Sequence, residues 1–301
     1  MIKRGYILIL LLIISVNTVS GQTNALTYDS YDYYINGEYK KAAELIDRAV
    51  AETEDSTNVE AWQLRAIIYY EIFKVIDNKS VLSDARVISL ISILKSLEYD
   101  TEKAYFDQSI KLLDKISLSY YNNAVLATTQ LNIDDPKFAE NSYLEYKRIQ
   151  KIAYPNKNFE EKDKSFYRAE ATSFARKYQQ DVQNNKDLFY LTIEALEKVL
   201  KLDSNDYPAN YNTGIYYYNE GVYQIETIDS QTDLTQLIMI EKYGVDMFKE
   251  ALPYMLKADK IRRREETLRG LRGIYNVLYE NEKFEYYTRE LEKFRENNPK
   301  K

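Results

Sequence analysis

Cysteine and histidine are both missing from the chain. Their absence excludes a thiolate nucleophile, a disulfide framework, a histidine general base and zinc held by the usual nitrogen and sulfur ligands. Glycine (8) and proline (5) are scarce among the 301 residues. So few glycines leave no glycine-rich loop to cradle a phosphate, and an all-β chain of this length would need many more turn residues. Helices are favoured instead, because each of the two residues costs stability inside one. Trp62 is the single tryptophan. Positive charge is also short, with 41 lysines and arginines against 47 acids. Nucleic acid is therefore not an expected partner, since affinity for it rests on cationic contacts.

The first residues stand apart from the rest. Lys3 and Arg4 precede an almost unbroken apolar run from Tyr6 to Val16, and Val19-Ser20-Gly21 then offers small residues before Gln22. This pattern predicts a signal peptide over 1–21, cleaved at the Gly21/Gln22 junction. The run is short for a membrane span, which needs ~20 apolar residues. No cysteine follows it, so lipoprotein anchoring is excluded. Cleavage removes two cations and no acid, taking the formal net charge from -6 to -8. No later run is long enough to span a membrane, so an exported protein, periplasmic or secreted, is expected without an integral span after cleavage.

Beyond residue 22 the apolar residues recur with helical spacing. Phe189, Ile193, Leu196 and Leu200 fall on one face, as do Ile110, Leu113, Tyr120 and Ala124. Polar breaks near Asp55-Ser56-Thr57, Asp77-Asn78-Lys79, Asp134-Asp135-Pro136, Pro155-Asn156-Lys157, Asp203-Ser204-Asn205-Asp206 and Asp229-Ser230-Gln231 divide the chain into segments of one or two helices. Such a rhythm fits stacked helical hairpins. Pro253 lies inside one helical pattern and predicts a kink or a helix start there.

Several segments share a finer pattern. Trp62, Ala66 and Tyr69 place a large residue, a small one and a tyrosine along one helix. Gly214 and Tyr217, followed by Gly221 and Tyr223, repeat it, and so do Leu268, Leu271 and Tyr275. Gly37, Tyr39, Ala42 and Ala49 look like a turn and second helix, Leu200 to Asn205 like the end of a repeat, and Ala251, Tyr254 and Ala258 like another second helix. These residues resemble the tetratricopeptide repeat, a helix pair of ~34 residues whose small positions let neighbouring helices approach. Arg65 and Thr213 depart from it where leucine is expected, and Arg272 where a small residue is. The resemblance implies an all-α fold of antiparallel hairpins stacked as a right-handed superhelix over 22–301. Recognisable repeats cover about 24–100 and 187–297. The middle, 101–185, fits poorly, and the stretch from Tyr223 to Lys249 is long enough for an inserted loop or extra helix.

The resemblance also implies a concave face lined by the first helix of each pair, where a protein or peptide partner lies. Repeat alignment places Tyr31, Tyr34, Gln63, Tyr70, Tyr211, Tyr218, Arg269 and Asn276 on it. Tyrosine is abundant, with 30 copies, and gives large contact area at low entropic cost. Packing between helices is the alternative use of the same rings. The basic run Lys257, Lys260, Arg262, Arg263 and Arg264, continued by Arg269 and Arg272, reads first as a solvated helix end and second as a docking patch for an acidic partner.

No catalytic residue, cofactor or metal is expected. Asp134-Asp135 and Glu160-Glu161 with Asp163 lack the spacing of a calcium loop, and Asn78-Lys79-Ser80 is a chance match to a glycosylation sequon. The expected function is a scaffold or adaptor of the cell envelope. Abundant isoleucine, lysine, asparagine and tyrosine, with the Gly21/Gln22 junction, look like a Bacteroidetes-type exported protein. Two other readings stay open. One is glycan binding in nutrient uptake by aromatic stacking, and the other is a carboxylate-based hydrolase.

Overall fold

The computed structural model describes residues 25–51, 57–129 and 135–298. The expected signal peptide, its cleavage junction and the breaks at Asp55-Ser56 and Asp134 lie outside them. The described residues form twelve α-helices and one π-helical turn, with no strand. In chain order these are α1 (Ala25–Ile35), α2 (Tyr39–Ala51), α3 (Val59–Glu71), the π turn (Ile72–Ile76), α4 (Asp84–Tyr99), α5 (Phe106–Thr129), α6 (Phe138–Ala153), α7 (Glu160–Gln180), α8 (Lys186–Leu202), α9 (Tyr207–Glu226), α10 (Leu234–Ile261), α11 (Glu265–Val277) and α12 (Asn281–Asn297). The all-α class is as expected. No described helix is long and apolar enough to cross a membrane.

The polar breaks work as helix punctuation. Asn58 and Asp206 cap α3 and α9, their side chains accepting the N–H groups of Ala61 (3.1 Å) and Ala209 (2.9 Å). Such a side chain satisfies one of the orphan donors of a helix start. Gly37 closes α1 with φ +79°, while the Tyr34 and Tyr33 carbonyls accept the Gly37 and Glu38 N–H groups at 3.0 Å each. Only glycine takes that left-handed conformation without cost. Asn58→Ala is expected to lower stability by about 1 kcal/mol, read as a shift in the urea midpoint.

Chain contacts separate the described residues into two compact units, those within 25–120 and 148–155 and those within 121–147 and 156–298. In unit 1, α1 pairs with α2 and α3 with α4. Contacts between α2 and α3, and between α1 and α3, join the two hairpins. Small residues set the approach, as the repeat pattern predicts. Ala42, Ala49, Ala61 and Ala66 are fully buried, and Ser89 on α4 reaches the Ala66 carbonyl at 2.7 Å. Arg65, which breaks the pattern, has a structural use. Its guanidinium binds Asp47 on α2 (2.8 Å) and Ser92 on α4 (2.7 Å) and lies over the Trp62 and Tyr69 rings. Tyr69 also donates to Asp47 at 2.6 Å. Burial first, then that bond, push its hydroxyl up to about 12.

In unit 2, α7 pairs with α8, α9 with α10 and α11 with α12, and α9 also meets α11. Between α9 and α10 the approach is very close. A Cβ on Gly221 would lie 3.0 Å from the Gly244 carbonyl oxygen, and one on Gly214 would lie 2.6 Å from Met255 Cγ. The long stretch after Tyr223 holds no extra helix. It is a short connection followed by α10, which is 28 residues long and carries Pro253 inside it. The poorly matching middle carries three helices, α5, α6 and α7, and aromatic rings replace the small-residue pattern there. Tyr143 stacks on Phe166 at 4.0 Å, with Tyr121, Tyr146 and Tyr167 around them.

Candidate binding site

The eight residues placed on a concave face by repeat alignment have different surroundings. In unit 1, Tyr31 and Tyr34 lie together with ring centroids 6.4 Å apart, and Tyr34 continues onto Tyr39 at 5.9 Å. Both are half-buried against the core that Ala42 and Ile46 share. Tyr70 packs against Phe73 at 6.1 Å. Gln63 is interior, only 3% exposed, and its Oε1 accepts from Ser96 (3.1 Å) and Ser109 (2.8 Å). It ties α3 to α4 and α5 and is not on an open face. Its amide is needed inside because the Ser109 hydroxyl would otherwise lack an acceptor, and Ser96 would keep only the Val59 carbonyl at 3.4 Å.

In unit 2 the four remaining residues come together. Tyr211 and Tyr218 are two helical turns apart on α9, and Arg269 and Asn276 are two turns apart on α11. Each pair therefore shares one helix face, and the two helices touch. The Tyr218 hydroxyl end fits over Gly273 of α11, where a Cβ would lie 2.7 Å from its oxygen. Its ring meets Phe248 edge-on at 5.3 Å. Tyr211 stacks on Tyr207 with centroids 6.0 Å apart and planes 8° from parallel. Burial raises the Tyr211 hydroxyl above its usual range, Glu266 and Tyr207 add to this, and Arg269 opposes it. Arg269 thus lies close enough to act on Tyr211, while it and Asn276 are themselves exposed.

Further members of this face come from the basic run. Arg262 and Arg264 lie over the Tyr207 ring, 6.0 and 5.1 Å from its centroid. Tyr207 meets Thr267 at 2.9 Å, so its ring is held from both sides. Arg264 also contacts Glu266 at 3.4 Å. Arg263 is differently employed, bound to Asp259 and Glu290 at 2.8 and 2.6 Å. The run is therefore split between one internal brace and a basic margin beside the tyrosines. Such a face can offer aromatic contact area, guanidinium forks for carboxylates and an amide.

Among the described residues no group of three or more acids could hold a metal ion. Small cavities of about 40 and 10 Å³ lie elsewhere in unit 2, beside Glu170.

No known protein family matches the sequence, and no curated protein is similar to it. Solved structures overlap it loosely, two of them as follows. One is PilW, a widely conserved type IV pilus biogenesis factor, at 16% identity over 94% of this chain and 96% of that one, with TM-score 0.36. The other is a monomeric IFIT1 mutant with m7Gppp-AAAA, at 15% identity over 93% of this chain and 71% of that one, with TM-score 0.35. Overlaps this loose carry no argument about function. The architecture rests on the pairing of consecutive helices within each unit.

Proposed function

We propose that the chain is an exported, non-catalytic helical-repeat scaffold of the cell envelope that holds a protein or peptide segment on the face where α9 meets α11. The observation that carries this reading is the convergence of Tyr211, Tyr218, Arg269 and Asn276 on two touching helices, with Arg262 and Arg264 at the margin. Half-buried tyrosines are held in place by their neighbours, so a partner meets them without ordering cost. The arginines add recognition of acidic side chains. Export rests on the apolar leader and the small residues before Gln22.

Two other readings find less support. The cavities beside Glu170 are far below the ~300–1,000 Å³ of small-molecule sites, which does not favour a hydrolase. The Trp62 ring carries the Arg65 guanidinium, so it is poorly placed to stack on a sugar.

Affinity capture with the mature protein from its own envelope fraction, followed by mass spectrometry, tests the scaffold reading. One or a few partners should be enriched, and Tyr211→Ala with Arg269→Ala should cut their recovery about tenfold, the loss of ~1.4 kcal/mol. Equal recovery by the double variant would remove the site from the proposal, and recovery of no partner would remove the scaffold. Export is checked by fractionation and by an N-terminus beginning at Gln22.

A further inference from the structure

Glu170 is a buried acid of unit 2 with an oxygen that none of the described residues around it satisfies. It stands on α7, 2% exposed, and its Oε1 has no hydrogen-bond partner. A cavity of about 40 Å³ lies on one side, lined among others by Thr128, Asp135, Ser173 and Lys177. A second of about 10 Å³ is lined by Lys137, Glu140, Glu194 and Lys198. Glu170 and Phe174 line both.

The charged groups around Glu170 are therefore Asp135 and Lys137 from the turn before α6, Glu140 from α6, Lys177 from α7, and Glu194 and Lys198 from α8. Tyr167 of α7 completes the titratable set, pushed up to about 12 by burial first and then by Glu140. Lys198 is already committed, at 2.5 Å from Glu140 and 3.1 Å from Glu194. One ammonium thus serves two carboxylates and leaves the third without a counter-ion. A buried carboxylate without a protein partner is costly, and a proton is the cheapest remedy. Burial first, then Glu140, raise the Glu170 carboxyl to about 8, with Lys198 opposing.

We propose that Glu170 is a proton-operated latch. Protonated, it lets α6 close against α7 and α8. Ionised, it draws water into the two cavities and releases the first turns of α6. The direction follows from linkage. A carboxyl raised above its unfolded value of 4.5 keeps its proton in the closed form after the open form has lost it. The closed form therefore loses stability as pH rises from about 4.5 through about 8, and loses no more above that.

Hydrogen exchange of the full chain, corrected for intrinsic rates and followed in steps from about pH 6 to about pH 9, tests the latch. Protection over 138–147 should fall about a hundredfold relative to α11 and α12, because about two pH units of the range lie below the raised value of about 8. Glu170→Gln, which imitates the protonated acid, should abolish the difference. Glu140→Gln frees Lys198 for Glu170 and should lower the midpoint by about one pH unit. A flat wild-type profile, an equal fall in Glu170→Gln, or an unmoved midpoint in Glu140→Gln overturns the proposal.

Discussion

Gly214→Val is expected to cost about 3 kcal/mol or more, seen as a large drop in the urea midpoint. The added Cβ alone would meet Met255 Cγ at 2.6 Å, Met255 Sδ at 2.9 Å and the Ala251 carbonyl oxygen at 3.2 Å. Cγ is bonded to Cβ, near the root of the Met255 side chain, so turning the free end does not carry it clear. The carbonyl belongs to the α10 backbone, which yields only if the helix moves. Valine then adds two methyls to a space already too small for one carbon. Its modest gain in helix propensity over glycine, a few tenths of a kcal/mol, does not offset this.

Gly270→Ala is the control. Its Cβ also meets Met255, at 2.0 Å, but the atom met is Cε, the free end of the chain. That end can rotate away, and alanine gains about 1 kcal/mol of propensity, so this variant should stay within about 1 kcal/mol of wild type. Met255→Ala should cost ~2–5 kcal/mol alone yet recover at least ~1 kcal/mol in the Gly214→Val background. A double-mutant cycle without coupling would show that the two helices do not meet where the structure has them.

The same small residues explain which parts of the fold were legible. Ala66, Gly214 and Gly221 mark places where one helix backbone approaches another, and a missing side chain is visible in a sequence. The middle was illegible because Tyr143, Tyr146 and Phe166 close their gaps by ring stacking, which has no fixed spacing. Arg65 read as a departure from the repeat because its partners Asp47 and Ser92 lie on flanking helices.

The candidate site divides in the same way. Spacing placed Tyr211 with Tyr218 and Arg269 with Asn276 on shared helix faces, since a helix fixes which residues align. It could not show what covers a face. Gln63 aligned with the others, yet Ser109 of α5, distant in the chain, closes over it. Gly273 went unnoticed because its purpose, admitting the Tyr218 hydroxyl, exists only once α9 and α11 meet. Glu170 is one acid among 47 acidic residues, and nothing local distinguishes it from those that face water.

Lys147→Met should cost about 3–5 kcal/mol at neutral pH, the usual loss when one partner of a buried ion pair is removed. The Lys147 ammonium lies 2.6 Å from Asp163 Oδ2, and the Tyr143 hydroxyl donates to Oδ1 at 2.7 Å. Asp163 is 8% exposed and Tyr143 is fully buried. Burial first, and then the bond to Asp163, hold the Tyr143 hydroxyl far above its usual range, so that proton stays on tyrosine. Methionine keeps most of the lysine stem's packing against the Tyr143 and Phe159 rings, both within 6 Å of the ammonium. What it removes is the charge, leaving a carboxylate facing one hydroxyl and an aromatic wall. Asp163→Asn in the same chain should restore at least half of the loss, because a neutral amide still accepts from Tyr143 and no longer needs a cation. Urea midpoints at neutral pH, for both single variants and the double, measure this. A cost below about 1 kcal/mol would place the pair with solvent-screened surface bridges, and the α6–α7 contact would then rest on its rings alone.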